Sequence, residues 1–284
     1  MSTPENVSFL SRQFKLVAHL YHPTPNPQNR SGAAIVIVHP WASIKEQSPA
    51  NYACVLSQAG FTCLAYDADI KSAVTYLRSR EDVNKNRIGV LGNCASGGYA
   101  PFTAQTNLRI KAVATSAAVC VGTMARRGLE KDTTTPEILK AQLEAAAKDR
   151  ESEFTGEKVP IVHMLPEKIE GMPADFPEPF RDLTDYYRTK RAHHPRAPNV
   201  CPPHSWDLMA NFDAYALNDM ISPRPLLMTA ETRAATKWYS EDGVAKAKEP
   251  KELFVVDGLT HADLYGNVDV AGAKLVEFFG NHLA

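Results

Sequence analysis

The sequence predicts an α/β fold: a mostly parallel central sheet with helices on both faces and an inserted segment in the middle of the chain. Two observations carry this. Short apolar runs alternate with segments of helical apolar spacing as far as Cys120, the rhythm that builds βαβ units. The rhythm then lapses and returns near Leu226. A length of 284 residues suits one large domain, or a core carrying an insertion.

In chain order, residues 7–21 read as two short strands with a turn at 11–13. Pro23, Pro25 and Pro27 end regular structure, because proline fixes φ and has no N–H to donate. Residues 33–38 are continuously apolar and β-branched in their second half, as a strand buried on both faces requires. Apolar residues at helical spacing fill 48–59 and stop at Gly60, a common helix terminator. Residues 61–66 are a further strand, and 69–79 a helix with Ile70, Val74 and Leu77 on one face. A strand at 88–91 runs straight into Gly92, followed by a helix at 95–105 and a strand at 110–117.

Beyond Cys120, residues 135–150 form a helix rich in Ala, Leu, Lys and Glu, whereas 157–203 is crowded with Pro, His, Arg and Tyr and has no clean period. The later elements are a strand at 226–229, a helix at 240–248, a strand at 253–256 and a closing helix at 268–282. The expected organisation is a core of residues 1–120 and 206–284 with a lid at 121–205.

Composition narrows the partners. A net charge of -1 offers no electrostatic footprint for nucleic acid or an anionic membrane. No apolar run reaches the roughly 18 residues that a bilayer span needs, and the polar first nine residues hold no secretory h-region. Five cysteines without regular spacing fit free thiols in a reducing compartment, so a cytoplasmic location is expected. There is no CxxC or HxxxH pair, and neither a metal nor a cofactor is expected.

The segment Gly92-Asn93-Cys94-Ala95-Ser96-Gly97-Gly98 follows a strand and opens a helix. A sharp strand-to-helix turn holds its central residue at a strained backbone angle and pushes that side chain into the open. The turn crowds the neighbours at minus two and plus two, and Gly92 and Ser96 are small enough to sit there. Such turns usually present serine; here the residue is Cys94, whose unperturbed thiol pKa of about 8.5 makes it the easier nucleophile to activate. Taken alone, the segment would fit a structural cysteine beside a Gly-rich turn equally well; its setting between strand and helix favours a nucleophile.

His261 stands five residues beyond the last strand, after Asp257-Gly258-Leu259-Thr260, where a general base would follow the nucleophile in chain order. The acid that orients such a base is expected just after the strand at 226–229. Glu231 is the only nearby carboxylate, and Glu241 and Asp242 fall in the following helix. Either Glu231 is the acid or there is none, which a Cys–His pair tolerates better than a Ser–His pair. Acyl transfer also needs two donors aimed at the developing oxyanion. The N–H of Ala95 is one candidate and that of Trp41 the other, since Pro40 cannot donate. The Trp41 ring either lines the acyl pocket or packs in the core. Ser43 and Glu46 have capping-box spacing.

At the elbow, residues 89–100 of this sequence resemble the dienelactone-hydrolase-like α/β-hydrolases, and within them the branch of fungal polyketide transferases and their bacterial homologues. Four further segments share the likeness, which spans nearly the whole chain: His39-Pro40 with Lys45-Glu46-Gln47; Tyr186-Tyr187-Arg188-Thr189 with His194-Pro195-Arg196; residues 221–227; and Gly258-Leu259-Thr260-His261-Ala262-Asp263-Leu264-Tyr265. The resemblance implies an α/β-hydrolase core and Cys–His chemistry on ester, thioester or lactone carbonyls, and in the fungal branch release or transfer of polyketide acyl chains. Three departures stand out. Trp41-Ala42-Ser43 replaces glycines, Ala235 aligns where the family tends to carry Asp, and Tyr66-Asp67-Ala68 runs almost directly into the helix at Asp69 where relatives have a longer loop.

The expected reaction is attack of the Cys94 thiolate, formed with His261, on the carbonyl of a small-molecule or carrier-bound acyl substrate. The acyl group is then released to water, an alcohol or a carbon nucleophile. Tyr186, Tyr187, His193, His194 and Trp206 either shape the substrate pocket or pack the lid onto the core. Two alternatives remain open: a non-hydrolytic cyclase or condensing enzyme with His261 as proton shuttle, and a degenerate binding subunit without activity. The hydrophobic lid is compatible with a homodimer.

Overall fold

A computed structural model describes residues 3–25, 28–67 and 69–283; the expectations attached to Pro27 and Ala68 lie outside them. The chain opens with an antiparallel hairpin, β1 (Glu5–Ser11) and β2 (Phe14–Tyr21). It then alternates through β3 (Ala34–Val38), α1 (Ser48–Gln58), β4 (Thr62–Tyr66), α2 (Ile70–Ser79), β5 (Ile88–Asn93), α3 (Ser96–Thr106) and β6 (Ala112–Ser116). The segment after β6 holds α4 (Val121–Arg127), α5 (Pro136–Phe154), β7 (Val162–His163), α6 (Glu178–Arg188), β8 (Val200–Cys201), α7 (Ser205–Ala210) and a 3-10 turn at Asn218–Ile221. The final run is β9 (Leu226–Glu231), α8 (Lys237–Lys246), β10 (Lys251–Val256), α9 (Asp263–Gly266) and α10 (Asp269–Leu283).

Eight strands form one sheet in the order β1-β2-β4-β3-β5-β6-β9-β10, antiparallel only in the pairings of β2 with β1 and β4. This mostly parallel sheet with flanking helices is the α/β-hydrolase fold. β7 and β8 pair only with each other, so the segment between β6 and β9 adds nothing to the main sheet. Alternate side chains of β3 serve two cores. Ala34, Val36 and Val38 pack with residues of α2, α3 and α8, while Ile35 and Ile37 pack with residues of α1 and α10. Burial on both faces explains the unbroken apolar run, and each large aliphatic side chain contributes roughly 1.5–3 kcal/mol there.

The chain leaves β3 for β4 on one side, and β5 pairs on the other. The loops beyond these strands diverge and leave a crevice at their carboxyl ends, the usual ligand position in an open α/β sheet. Val38 is paired with Gly92, so the segments holding Trp41 and Cys94 start level with each other. Among the described residues no helix is long and apolar enough to cross a membrane.

Several local expectations differ from the structure. β5 runs two residues further than expected, to Asn93, and α8 starts three residues early, at Lys237. α6 lies in the stretch that shows no period. Pro177 and Pro179 sit at its N-cap and first turn, where no intrahelical donor is missed, so a Pro-rich stretch begins a helix. The capping box at Ser43 and Glu46 is not formed. α1 begins only at Ser48, Ser43 Oγ donates to Gln47 Oε1 at 2.7 Å, and Glu46 pairs with Lys45, Arg196 and His19. Glu46 thus ties the loop after β3 to the inserted segment.

Candidate active site

Cys94 has φ +51°, the left-handed region that costs a non-glycine residue about 1–2 kcal/mol. Backbone bonds hold it there. Its N–H donates to Ser116 O at 2.9 Å, and its carbonyl accepts from Gly97 at 2.7 Å and Val119 at 2.8 Å. The elbow is crowded as anticipated: a Cβ on Gly92 would lie 1.9 Å from the Ser96 carbonyl oxygen, and one on Gly97 2.5 Å from Ala118 Cα.

The residues flanking Cys94 also hold the neighbouring loop. Asn93 Nδ2 donates to Val38 O at 3.0 Å and Ser96 Oγ donates to His39 O at 2.5 Å. From the inserted segment, Asn199 Nδ2 donates to Ala42 O at 2.9 Å. Locked in this way, the backbone N–H groups of Trp41 and Ala95 both face the Cys94 sulfur and favour its thiolate. Burial is the larger influence and pushes the thiol up, so the resting group is the neutral thiol.

Val256 pairs with Glu231 at the ends of β10 and β9. Five residues beyond each, the chain brings His261 and Thr236 together: His261 Nδ1 lies 2.7 Å from Thr236 Oγ1. Its Nε2 lies 2.7 Å from the Tyr265 hydroxyl, which also interacts with the Cys94 thiol. With the proton on Nδ1 donated to Thr236, Nε2 keeps its lone pair and accepts from Tyr265. Burial pushes the imidazole down to about 4, with Asp182 opposing the shift. His261 is therefore a neutral base across the physiological range. Asp182, on α6, brackets it: Oδ2 accepts from Thr260 Oγ1 at 2.6 Å and the Ala262 N–H at 3.3 Å, while Oδ1 accepts from Arg191 at 3.0 Å.

Glu231 is not the acid behind His261. It is the last residue of β9 rather than part of the following turn, fully buried, with neither carboxyl oxygen hydrogen-bonded. Desolvation raises its pKa well above 4.5, so it stays protonated. Thr236 occupies the place beside the imidazole instead. A carboxyl whose pKa is raised by folding contributes stability below its unfolded value, and that contribution is lost as pH rises through the folded value. Glu231→Gln removes this loss. It is expected to retain activity and to gain stability over the wild type as pH rises above the ordinary glutamate range. Urea midpoints that stay parallel over that rise, or a loss of activity, would restore Glu231 as an ionised partner.

Cys94, His261, Tyr265, Trp41 and Ala95 line one small cavity of about 80 Å³ with an almost wholly apolar wall. Trp41, Met124, Leu129, Met164 and Phe180 also line an adjoining outer chamber of about 440 Å³. Of the residues expected at the substrate, Tyr187 lines the inner cavity and Trp206 the outer chamber, its ring edge-on to Trp41 with centroids 6.0 Å apart. Tyr186 does not line either; it is buried, packed against the rings of Tyr187 and Tyr265. His194 lines a separate cleft with His163, Glu167 and Arg188. Its Nδ1 accepts from the Arg196 N–H at 3.2 Å, a local turn contact. Thr236, Asp182 and Asn199 carried no signal in the sequence, because each acts through an element brought in from elsewhere in the chain.

No protein-family model matches the chain. It is 32% identical to the uncharacterized protein YcjY of Escherichia coli, covering 93% of each chain. It is 33% identical to PA2218 of Pseudomonas aeruginosa, over 98% of this chain and 80% of that protein. The crystal structure of PA2218 superposes with a TM-score of 0.89 over 98% of this chain and 93% of that one. The α/β hydrolase GrgF from Penicillium sp. sh18, at 20% identity, shares the fold over 98% of both chains with a TM-score of 0.79.

Proposed function

This chain belongs to the α/β-hydrolase-fold family that includes YcjY and PA2218, and we propose that it is a cysteine-dependent acyl hydrolase or acyltransferase. Its substrate is a thioester, ester or lactone whose acyl part is apolar and polyketide-like. The observation that carries this reading is the convergence on one sulfur. Cys94 is held at a positive φ, two fixed N–H groups face it, and a neutral imidazole stands one hydroxyl away, all within one apolar cavity.

In the reaction, the Cys94 proton passes to His261 and the sulfur bonds to the substrate carbonyl carbon. The carbonyl oxygen takes the negative charge and rests on the N–H groups of Trp41 and Ala95. Collapse expels the leaving group, which takes the proton back from the imidazolium, and leaves an acyl-thioester on Cys94. A second nucleophile, water or an alcohol, loses its proton to His261 and bonds to the acyl carbon; the C–S bond then breaks, the acyl product leaves, and the Cys94 sulfur takes the proton back from the imidazolium. The inner cavity takes the reacting end of the acyl chain. The outer chamber, whose volume falls in the range of ordinary small-molecule sites, takes the remainder.

A second reading draws on Thr236. With a hydroxyl where a carboxylate would stabilise the imidazolium, His261 is a weak base, better suited to shuttling a proton in a cyclisation or condensation. Incubation with p-nitrophenyl butyrate, followed by intact-mass measurement and peptide mapping, separates the readings. A butyryl adduct confined to Cys94 is expected. Turnover without any adduct on Cys94 would overturn acyl transfer in favour of the shuttle.

A further inference from the structure

Tyr265 occupies a position that the steps above leave unexplained. It lies on the short α9, four residues after His261, and its side chain is held from several directions. The ring packs against Tyr186 at 5.1 Å, Tyr187 at 6.4 Å and the His261 imidazole at 5.1 Å between centroids. Its carbonyl accepts from Asn51 Nδ2 at 2.8 Å, and its N–H donates to Ala262 O at 3.1 Å. The residue is 1% exposed, yet it lines the cavity of Cys94. The phenol oxygen is thus fixed where it meets two groups: Nε2 of His261 at 2.7 Å, and the sulfur of Cys94.

This placement has a consequence for the proton. A neutral imidazole that donates from Nδ1 has one lone pair, on Nε2. The Tyr265 hydroxyl occupies it, so the thiol cannot hand its proton directly to the ring. We propose that Tyr265 is a catalytic residue that relays the proton between Cys94 and His261. The S–H bond breaks as its proton bonds to the phenol oxygen, and the phenol O–H bond breaks as that proton bonds to Nε2. Thiolate and imidazolium result, and the tyrosine is again a neutral phenol. On collapse of the tetrahedral intermediate the relay runs in reverse. Tyr265 donates to the leaving oxygen or sulfur and is reprotonated by the imidazolium. The relay depends on the acyl-transfer role proposed for Cys94, and both reacting groups are reached by a single rigid hydroxyl.

Tyr265→Phe removes one oxygen and keeps the ring. Its burst of p-nitrophenol from p-nitrophenyl butyrate is expected to slow by about 10²–10⁴-fold, the usual scale of one acid–base group. Alkylation of Cys94 by iodoacetamide should lose its broad neutral-pH plateau and rise only on the alkaline side, as for an unassisted thiol. A merely structural tyrosine would leave that profile unmoved. If the Phe variant proves unstable, 3-fluorotyrosine at position 265 keeps the ring and the hydroxyl, and should shift the pH profile of the burst toward acid. A Phe variant with the wild-type burst rate and alkylation profile, or a fluorotyrosine enzyme with an unshifted profile, would overturn the relay. Cys94→Ala run in parallel keeps the two claims apart. If it is inactive while Tyr265→Phe is unimpaired, only the relay fails; if it remains fully active, the role of Cys94 fails as well.

Discussion

Cys94→Gly is expected to reduce turnover by about 10⁴-fold or more while leaving stability within about 1 kcal/mol of the wild type. The two effects separate because the backbone and the side chain of this residue do different work. Among the described residues, the Cys94 thiol is where the Trp41 and Ala95 N–H groups and the Tyr265 hydroxyl converge, so a neighbour is not expected to replace it. The backbone sits at φ +51°, and glycine relieves about 1–2 kcal/mol of that strain. Against this stand the greater freedom of glycine in the unfolded chain, about 0.4–1 kcal/mol, and the loss of a half-buried thiol. These terms nearly cancel. Steady-state assays with p-nitrophenyl butyrate and chemical denaturation test both halves. A variant that stays active would exclude Cys94 as the nucleophile, and a large drop in stability would mean that the elbow depends on the side chain.

Gly92→Ala is expected to have the larger structural effect. The added methyl would stand 1.9 Å from the Ser96 carbonyl oxygen, 2.4 Å from the Ser96 carbonyl carbon and 2.9 Å from Ala100 Cβ. None of these belongs to the far end of a flexible side chain. Ser96 opens α3 and holds His39 O, so displacing it moves the elbow and the loop after β3 together. A cost above about 4 kcal/mol is expected, well beyond an ordinary overpacked core. At roughly 2–4 °C per kcal/mol for a large domain, the melting temperature should fall by about 10 °C, with activity lost alongside. Gly266→Ala is the control, since nothing lies within 4 Å of a Cβ there. Equal melting temperatures for the two variants would mean that the elbow yields more easily than its geometry implies.

Much of the fold could be read from local pattern. The apolar run ending at Val38, the helix face of Ile70, Val74 and Leu77, and the break after Cys120 each follow from periodicity within one element. The elbow was legible for the same reason: a turn this tight restricts its own neighbours, and the restriction shows as Gly92 and Ser96. α6 was not legible, because it opens through prolines and its buried residues include Tyr186 and Tyr187, whose apolar rings carry polar tips. Glu231 was misassigned because β9 extends through it. Two more residues of strand turn a carboxylate of a loop into one sealed in the sheet.

By itself, the sequence determined the strand–helix alternation, the strained bend at Cys94 and a histidine after the last strand. All of these are settled by periodicity or sterics within a few consecutive residues. Only the tertiary structure decided what surrounds that histidine: Thr236 on Nδ1, Tyr265 on Nε2, and Asp182 of α6 against the residues on either side. Such partners depend on how far each strand runs before its loop begins and on which way a side chain points once the elements are docked, and neither is encoded within a short stretch of chain.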